Sequence, residues 1–119
     1  MADGGLRVGL AQVDTTVGDL EGNARLLVDA CRALEERGAE VVVTPELALT
    51  GYPPQDLLFQ ADFVPKALEV LAWVHGEVGR GAWIIGCVKP NEDAGGRPFH
   101  NAAAVLEHGR AVRWVEKSL

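Results

Sequence analysis

The stretch "AEVVVTPE", residues 39–46, determines the fold class. Its core is apolar at successive positions, which is typical of a parallel strand covered on both faces. A proline and then a carboxylate, Glu46, follow the strand directly. Because functional residues of α/β sheets collect at the carboxyl ends of parallel strands, we expect Glu46 to belong to a site at that edge.

Two amphipathic segments flank this strand, and each is predicted to be a helix. In the first, Asn23 is the predicted N-cap and Gly38 stands at the C′ position that ends a helix. In the second, Asp62 is the predicted cap and Gly79 the predicted end. Both helices have one apolar face, so both are predicted to pack on the sheet.

Three further strand patterns complete the sheet. Residues 6–13 predict a first strand and residues 82–90 a third. The segment 99–117 predicts a hairpin that turns at residues 107–110. The order β-α-β-α-β-β-β predicts an α/β fold with a mixed sheet, in which the first three strands are parallel and both helices lie on one face.

Composition excludes several classes of function. The 119 residues suffice for one domain, and 48% of them are hydrophobic, enough for a core. The net charge is −6 and no Lys/Arg run occurs, so no nucleic acid or anionic membrane is expected as a partner. The first residues do not resemble a signal peptide, and we expect a cytoplasmic protein. The chain ends close to an apolar strand pattern, so we expect it to be truncated.

Glu46 and Lys117 are the candidate catalytic residues, and each ends a strand pattern. A carboxylate held in one position suits a general base, and an ammonium near it can stabilise an oxyanion. Glu46 could instead cap a turn or pair with a surface cation, and Lys117 could be a solvated lysine at the end of its strand. Cys31 and Cys87 have no disulfide or metal spacing and are predicted to be core residues, and no metal site is expected. The three tryptophans, Trp73, Trp83 and Trp114, are predicted to pack in the core or between layers.

Four segments resemble the nitrilase (carbon–nitrogen hydrolase) superfamily: "VGLAQVDTTVGDLEGN", "VVVTPELALTGYPPQDLL", "NAAAVLEHGRAV" and the terminal "EKSL". "GYPPQDLL" narrows the resemblance to the glutaminase domains of glutamine-dependent NAD synthetases, although Gln55 stands where that branch more often has Glu. The resemblance covers residues 6–119 and implies part of a four-layer α-β-β-α sandwich. It implies that residues 6–119 form a partial domain, without the rest of that domain or any synthetase domain.

The resemblance also implies roles for individual residues. Glu46 matches the general base, and Lys117 matches the lysine that stabilises the tetrahedral intermediate. The nucleophilic cysteine of the family lies downstream and is not in this chain. Asn101 is expected to hold backbone, and Tyr52 with Pro53 and Pro54 is expected to shape a loop.

The implied parent enzyme hydrolyses glutamine through a thioester. Its ammonia passes to a synthetase domain of the same chain, which uses ATP and Mg²⁺ to amidate nicotinic acid adenine dinucleotide. No cofactor is expected in residues 1–119, and the parent enzyme is expected to be a homo-oligomer.

Two alternatives remain open at this point. The chain could belong to another carbon–nitrogen hydrolase, such as an amidase, or it could be a non-catalytic α/β module that binds a partner through its sheet. Whichever function is right, the two predicted helices can cover only one face of the sheet. We therefore expect an open apolar face, and self-association or loose packing of the chain by itself.

Overall fold

The computed structural model describes residues 5–51, 57, 60–90 and 99–116. Its elements in chain order are β1 (Val8–Leu10), α1 (Leu20–Glu36), β2 (Val41–Val43), α2 (Phe63–Gly76), β3 (Ala82–Pro90), β4 (Phe99–Glu107) and β5 (Arg113–Glu116). The sheet has the order β1-β2-β3-β4-β5. The first three strands are parallel, and β4 and β5 are added antiparallel. The predicted mixed sheet and the predicted hairpin are confirmed, although β1 and β2 are shorter than their sequence patterns.

The start of α1 differs from the prediction. Asp19, not Asn23, is the N-cap, and its carboxylate accepts the amide hydrogen of Gly22 at 3.1 Å. Both residue types are good caps, so local preference could not distinguish two candidates four residues apart. Asn23 lies one turn inside the helix, where its side chain is buried.

The end of α1 is as predicted. Gly38 has a φ of 99°, the left-handed conformation that glycine adopts without strain. Its amide donates to the carbonyl of Glu35 at 2.9 Å, and the amide of Ala39 donates to that of Leu34 at 3.0 Å. These two bonds form a Schellman motif, which returns the chain into β2.

The end of α2 comes earlier than predicted, at Gly76 and not at Gly79. The amide of Glu77 donates to the carbonyl of Val74 at 2.9 Å, three residues back. Such a bond tightens the last turn, and the chain leaves the helix there. Val78 then returns to the core, where it is buried.

The core lies between the helices and one face of the sheet. Val42, Trp83 and Leu106 are in register across β2, β3 and β4, and all three are fully buried. The two helices contact each other as well as the sheet, which confirms that they share one face. The indole N–H of Trp83 donates at 3.0 Å to the carboxylate of Glu35, so this polar group of the core is satisfied.

The opposite face of the sheet is open in the part of the chain that the structure describes. Val41 and Val43 are half-buried, while Leu10 is 66% exposed and Val115 is 61% exposed. The prediction that the second strand is buried on both faces is therefore wrong for these residues, because both helices lie on the other side. The open apolar face expected from the sequence is present.

Trp73 also differs from its prediction. It lies on the outer surface of α2 with 44% of its surface exposed, and the guanidinium of Arg25 lies 5.9 Å from its ring centroid. A cation–π contact with the neighbouring helix replaces the expected core packing.

Neither helix in the described part of the chain has the length and apolar character to cross a membrane.

Candidate functional site

Thr44 determines the position at which the chain leaves β2 towards Glu46. Its amide and its hydroxyl both donate to the carbonyl of Ile84, at 3.0 and 2.9 Å, and the hydroxyl accepts the amide hydrogen of Gly86 at 3.1 Å. The next residue, Pro45, has no amide hydrogen to donate. The threonine hydroxyl therefore takes the place of one backbone hydrogen bond between β2 and β3 just before Glu46.

The chain then crosses directly over Gly86 of β3. A Cβ atom at this position would lie 2.3 Å from the carbonyl oxygen of Pro45 and 2.6 Å from the amide nitrogen of Leu47. The amide of Leu49 donates to the carbonyl of Gly86 at 3.0 Å. Since only a residue without a side chain permits this approach, Gly86 determines how close the segment with Glu46 lies to the sheet.

The turn after Glu46 contains a strained residue. Leu47 has a φ of 53°, in the left-handed region that costs a non-glycine residue about 1–2 kcal/mol. The amide of Ala48 donates to the carbonyl of Pro45 at 3.1 Å, and that of Gly51 donates to the carbonyl of Leu47 at 2.9 Å. Strain of this kind is frequent at functional sites, where the surrounding structure holds it in place.

Asn23 attaches this turn to α1 and to the loop before it. Its side-chain amide donates to the carbonyls of Thr16 and Leu49, at 2.8 and 2.9 Å, and its carbonyl oxygen accepts the amide hydrogen of Thr16 at 2.8 Å. The side chain is 1% exposed. A buried side chain that bonds three backbone groups fixes both loops relative to the helix.

Asn101 contacts the carboxylate of Glu46 itself. The Asn101 side-chain amide donates to Glu46 Oε1. Asn101 lies near the start of β4, opposite Val88, and therefore at the sheet edge where β3 ends. The sequence predicts that Asn101 holds backbone, but the structure shows it on the side chain of the candidate base.

Glu46 and Asn101 line an open hollow of about 390 Å³ on the uncovered face of the sheet. Val43, Ile84, Ala103 and Val115 contribute its apolar floor. Glu116 is part of the same lining and pairs with the ammonium of Lys89 at 3.0 Å. The hydrogen bond from Lys89 lowers the pKa of Glu116 below its ordinary value. The arrangement can position a carboxylate beside a substrate that enters from the open side.

Cys31 and Cys87 are remote from this chemistry. Both side chains are fully buried, Cys31 under α1 and Cys87 on the covered face of β3. Burial raises the pKa of each thiol to about 12, with a smaller contribution at Cys31 from the charge of Glu35. The prediction that both are core residues is consistent with this placement, and neither thiol is poised as a nucleophile.

Several residues singled out in the sequence lie outside the described residues. These are Lys117 and the loop residues Tyr52, Pro53, Pro54 and Gln55. Among the residues that the structure does describe, no three His, Cys, Asp or Glu side chains are grouped to hold a metal ion. The ring Nε2–H of His75 donates a hydrogen bond to the carbonyl of Glu107 at 2.8 Å.

The sequence interpretation gave Thr44 and Gly86 no role at the site, assigned Asn23 to a helix cap, and assigned Asn101 a different partner. A signal for Asn101 was present, since it is a polar residue before the apolar run "AAAVL" at the N-terminal end of the first predicted hairpin strand. Antiparallel pairing places that end beside the carboxyl end of β3. No comparable local signal marks Gly86, because its role depends on a chain segment 40 residues away.

Comparison with known proteins adds a family and two kinds of relative. The carbon-nitrogen hydrolase family profile matches residues 7–117. The glutamine-dependent NAD(+) synthetase of Synechocystis sp. is 37% identical over 116 residues, which are 94% of this chain and 21% of that protein. The chain thus spans about a fifth of the length of the curated relatives that it matches.

Solved structures show the same fold. A glutamine-dependent NAD+ synthetase from Acinetobacter baumannii superposes with a TM-score of 0.82 at 26% identity, over 94% of this chain and 20% of that one. An amidase from Nesterenkonia sp. superposes with a TM-score of 0.74 at 26% identity, over 94% of this chain and 42% of that one.

Proposed function

The chain belongs to the carbon-nitrogen hydrolase family, and from this membership we propose that residues 6–119 are part of the glutaminase domain of a glutamine-dependent NAD synthetase. The observation that carries the proposal is the Glu46 carboxylate, held by Asn101 at the carboxyl end of β2 beside an open hollow. The likeness to NAD synthetases over most of the chain supports this branch of the family. The substrate of the proposed domain is glutamine.

In the proposed reaction Glu46 is the general base. It takes the proton of a cysteine thiol, and the thiolate attacks the side-chain amide carbon of glutamine. The tetrahedral intermediate collapses when Glu46 returns the proton to the leaving nitrogen, so that ammonia departs and a thioester remains. Water, deprotonated by Glu46, then releases glutamate and the thiol. Each proton transfer requires the carboxylate at hydrogen-bond distance, which explains why its position is held so firmly.

The remaining catalytic groups come from outside the described residues. We assign stabilisation of the oxyanion to Lys117, which follows Glu116 in the sequence, and Glu116 lines the same hollow as Glu46. The nucleophilic cysteine is neither Cys31 nor Cys87, because both thiols are buried and hold their protons at neutral pH. It therefore belongs to a part of the protein beyond residues 1–119.

The ammonia would be consumed by a synthetase domain of the same chain. That domain would bind ATP and Mg²⁺ and amidate nicotinic acid adenine dinucleotide. Among the described residues of this chain, no three His, Cys, Asp or Glu side chains are grouped so that they could hold this Mg²⁺. We place the reaction in the cytoplasm and propose a homo-oligomeric parent enzyme.

Glu46→Gln in the complete protein tests the proposal. The substitution keeps the shape of the side chain but removes the base, and loss of a general base costs about 10²- to 10⁴-fold in rate. Ammonia release from glutamine should fall by that factor, while amidation with free ammonia should persist. Glu40→Gln is the matched control, because Glu40 is exposed just before β2, at the opposite end of the strand, and should leave both activities unchanged. Equal loss of both activities in the Glu46 variant would contradict the role assigned to Glu46.

An amidase without a synthetase domain is the second candidate, favoured by the structural likeness to the Nesterenkonia amidase. It would use the same base on a different amide. Comparing ammonia release from glutamine with release from short aliphatic amides separates the two. Hydrolysis of neither class would favour the non-catalytic binding module.

A further inference from the structure

Asn101 contacts the Glu46 carboxylate from β4, whereas the residues that position the backbone near Glu46 lie at the end of β2 and on β3. Thr44 and Gly86 determine where the backbone crosses β3, whereas the Asn101 amide reaches Glu46 Oε1 from β4. A glutamate side chain has three rotatable bonds, so a fixed backbone does not by itself fix the position of the carboxylate. The bond from Asn101 restricts that movement at the atoms that take the proton.

The amide is also the chemically appropriate donor. A side-chain N–H donated to a carboxylate favours its ionised form, which is the form a base needs. An asparagine supplies that donor without adding a charge or competing for the proton. Among the residues described, the charged residues that line this hollow are Glu46 itself and Glu116, whose carboxylate pairs with the ammonium of Lys89.

We propose that Asn101 is a positioning residue for the general base: it orients the Glu46 carboxylate and keeps it ionised for the proton transfers of amide hydrolysis. The inference rests on the proposed function, since it gives Glu46 the role of base. It goes beyond that proposal by assigning a separate role in the reaction to a residue that need not touch the substrate.

Asn101→Ala in the complete protein removes the donor. Hydrogen bonds to charged groups are worth about 10- to 100-fold in an equilibrium or a rate, and we expect kcat/KM for glutamine to fall by that factor. The acidic limb of its pH dependence should move to higher pH, because the ionised carboxylate loses a donor. The pH dependence of alkylation of the nucleophilic thiol should shift in the same direction without any substrate. Amidation with free ammonia should not change.

Two further variants separate positioning from folding. Asn101→Asp keeps the volume but places a second carboxylate against Glu46, so it should lose more activity at neutral pH than Asn101→Ala. Val105→Ala is the matched control, since Val105 lies on the same strand and the same face, remote from Glu46. It should lower the melting temperature at least as much as Asn101→Ala and leave the acidic limb in place.

The outcomes distinguish the two claims. If Glu46→Gln is inactive while both Asn101 variants stay within twofold of the wild type with an unmoved acidic limb, the role of Asn101 is refuted and the proposed function stands. If Asn101→Ala loses activity only in proportion to its stability, as Val105→Ala does, the role is refuted as well. If Glu46→Gln keeps glutaminase activity, the proposed base is wrong independently of Asn101.

Discussion

At the scale of single residues, the carboxylates at the two ends of β2 are held very differently. Both carboxylates are exposed, but the side chain of Glu40, just before the strand, accepts a long bond of 3.4 Å from the amide of Arg7. Glu46, past the other end, follows Thr44, whose hydroxyl bonds to the backbone of β3, and the Glu46 carboxylate accepts a hydrogen bond from Asn101. A general base must be held in one position, whereas a charge that only improves solubility need not be.

The two cysteines of the chain should be inert in the folded protein. With a pKa of about 12, roughly one thiol in ten thousand is ionised at pH 8, and both side chains are fully buried. Alkylation with iodoacetamide, followed by peptide mass spectrometry, should label Cys31 and Cys87 only after denaturation. The denatured sample provides the control, and labelling of native Cys87 at the rate of a free thiol would contradict its assignment to the core.

The same burial predicts a loss of stability at alkaline pH. The native pKa of Cys87 is raised from 9.0 to about 12, so above pH 9 the unfolded state ionises while the native state stays neutral. The contribution of the neutral Cys87 thiol to the free energy of unfolding is complete below pH 9 and is lost as the pH rises towards 12. Urea midpoints measured from pH 8 to pH 10 should fall, and the fall should be less steep in Cys87→Ala. Equal slopes for the two proteins would show that this thiol does not contribute.

At the scale of elements, the contact between β3 and the segment after β2 depends on one missing side chain. Gly86→Ala would bring a Cβ atom within 2.3 Å of backbone, and overpacking of this kind costs about 1–3 kcal/mol. We expect a lower free energy of unfolding and reduced glutaminase activity, since the position of Glu46 would shift. Denaturant unfolding and an ammonia assay check both.

Gly76→Ala is the matched control for that change. Gly76 is the last residue of α2, and among the described residues outside its own helical turn no atom lies within 4 Å of a Cβ at this position. Because alanine has the higher helix propensity, the substitution should be neutral or stabilising by up to about 1 kcal/mol. A similar loss of stability in both variants would contradict the close approach at Gly86.

Asn23 joins α1 to the turn that follows Glu46, so its loss should loosen that turn. Asn23→Ala leaves the buried carbonyl of Leu49 without this donor, at a cost of about 1–3 kcal/mol. Hydrogen exchange at Gly51, whose amide bond closes the turn, should become faster. Asp29→Ala, on the exposed side of the same helix, should change stability by less than about 0.5 kcal/mol. Unchanged exchange at Gly51 would show that the turn does not depend on Asn23.

At the scale of the whole molecule, the described residues form one sheet with one helical layer, and the other sheet face is apolar. A 119-residue chain prepared alone should therefore self-associate. Replacing Leu10 and Val115 by lysine should reduce the association, although the net charge changes from −6 to −4 (−6 plus 2), which by itself favours association. Light scattering after size exclusion measures the effect.

Leu26→Lys is the control for that experiment. Leu26 is 46% exposed on the outer side of α1, away from the open face. Its replacement should leave the association unchanged. A monodisperse wild-type chain with a sharp melt would contradict the interpretation that the open face needs a cover.

The sequence by itself determined the order and type of the elements. The apolar run of residues 82–90 predicted β3 to the residue, and Gly38 predicted the end of α1. It also placed Glu46 at the carboxyl end of a parallel strand. These features depend on the periodicity of apolar residues and on local caps, which a chain segment carries whatever lies around it.

Tertiary structure decided what the sequence could not. Asn101 and Glu46 are 55 residues apart, and their contact depends on the register of β4 against β3. Gly86 is essential only because the chain after β2 crosses over it, and Asn23 bonds to Leu49 instead of capping its own helix. These contacts form only when the fold brings together groups that are distant in the chain, so no local pattern in the sequence records them.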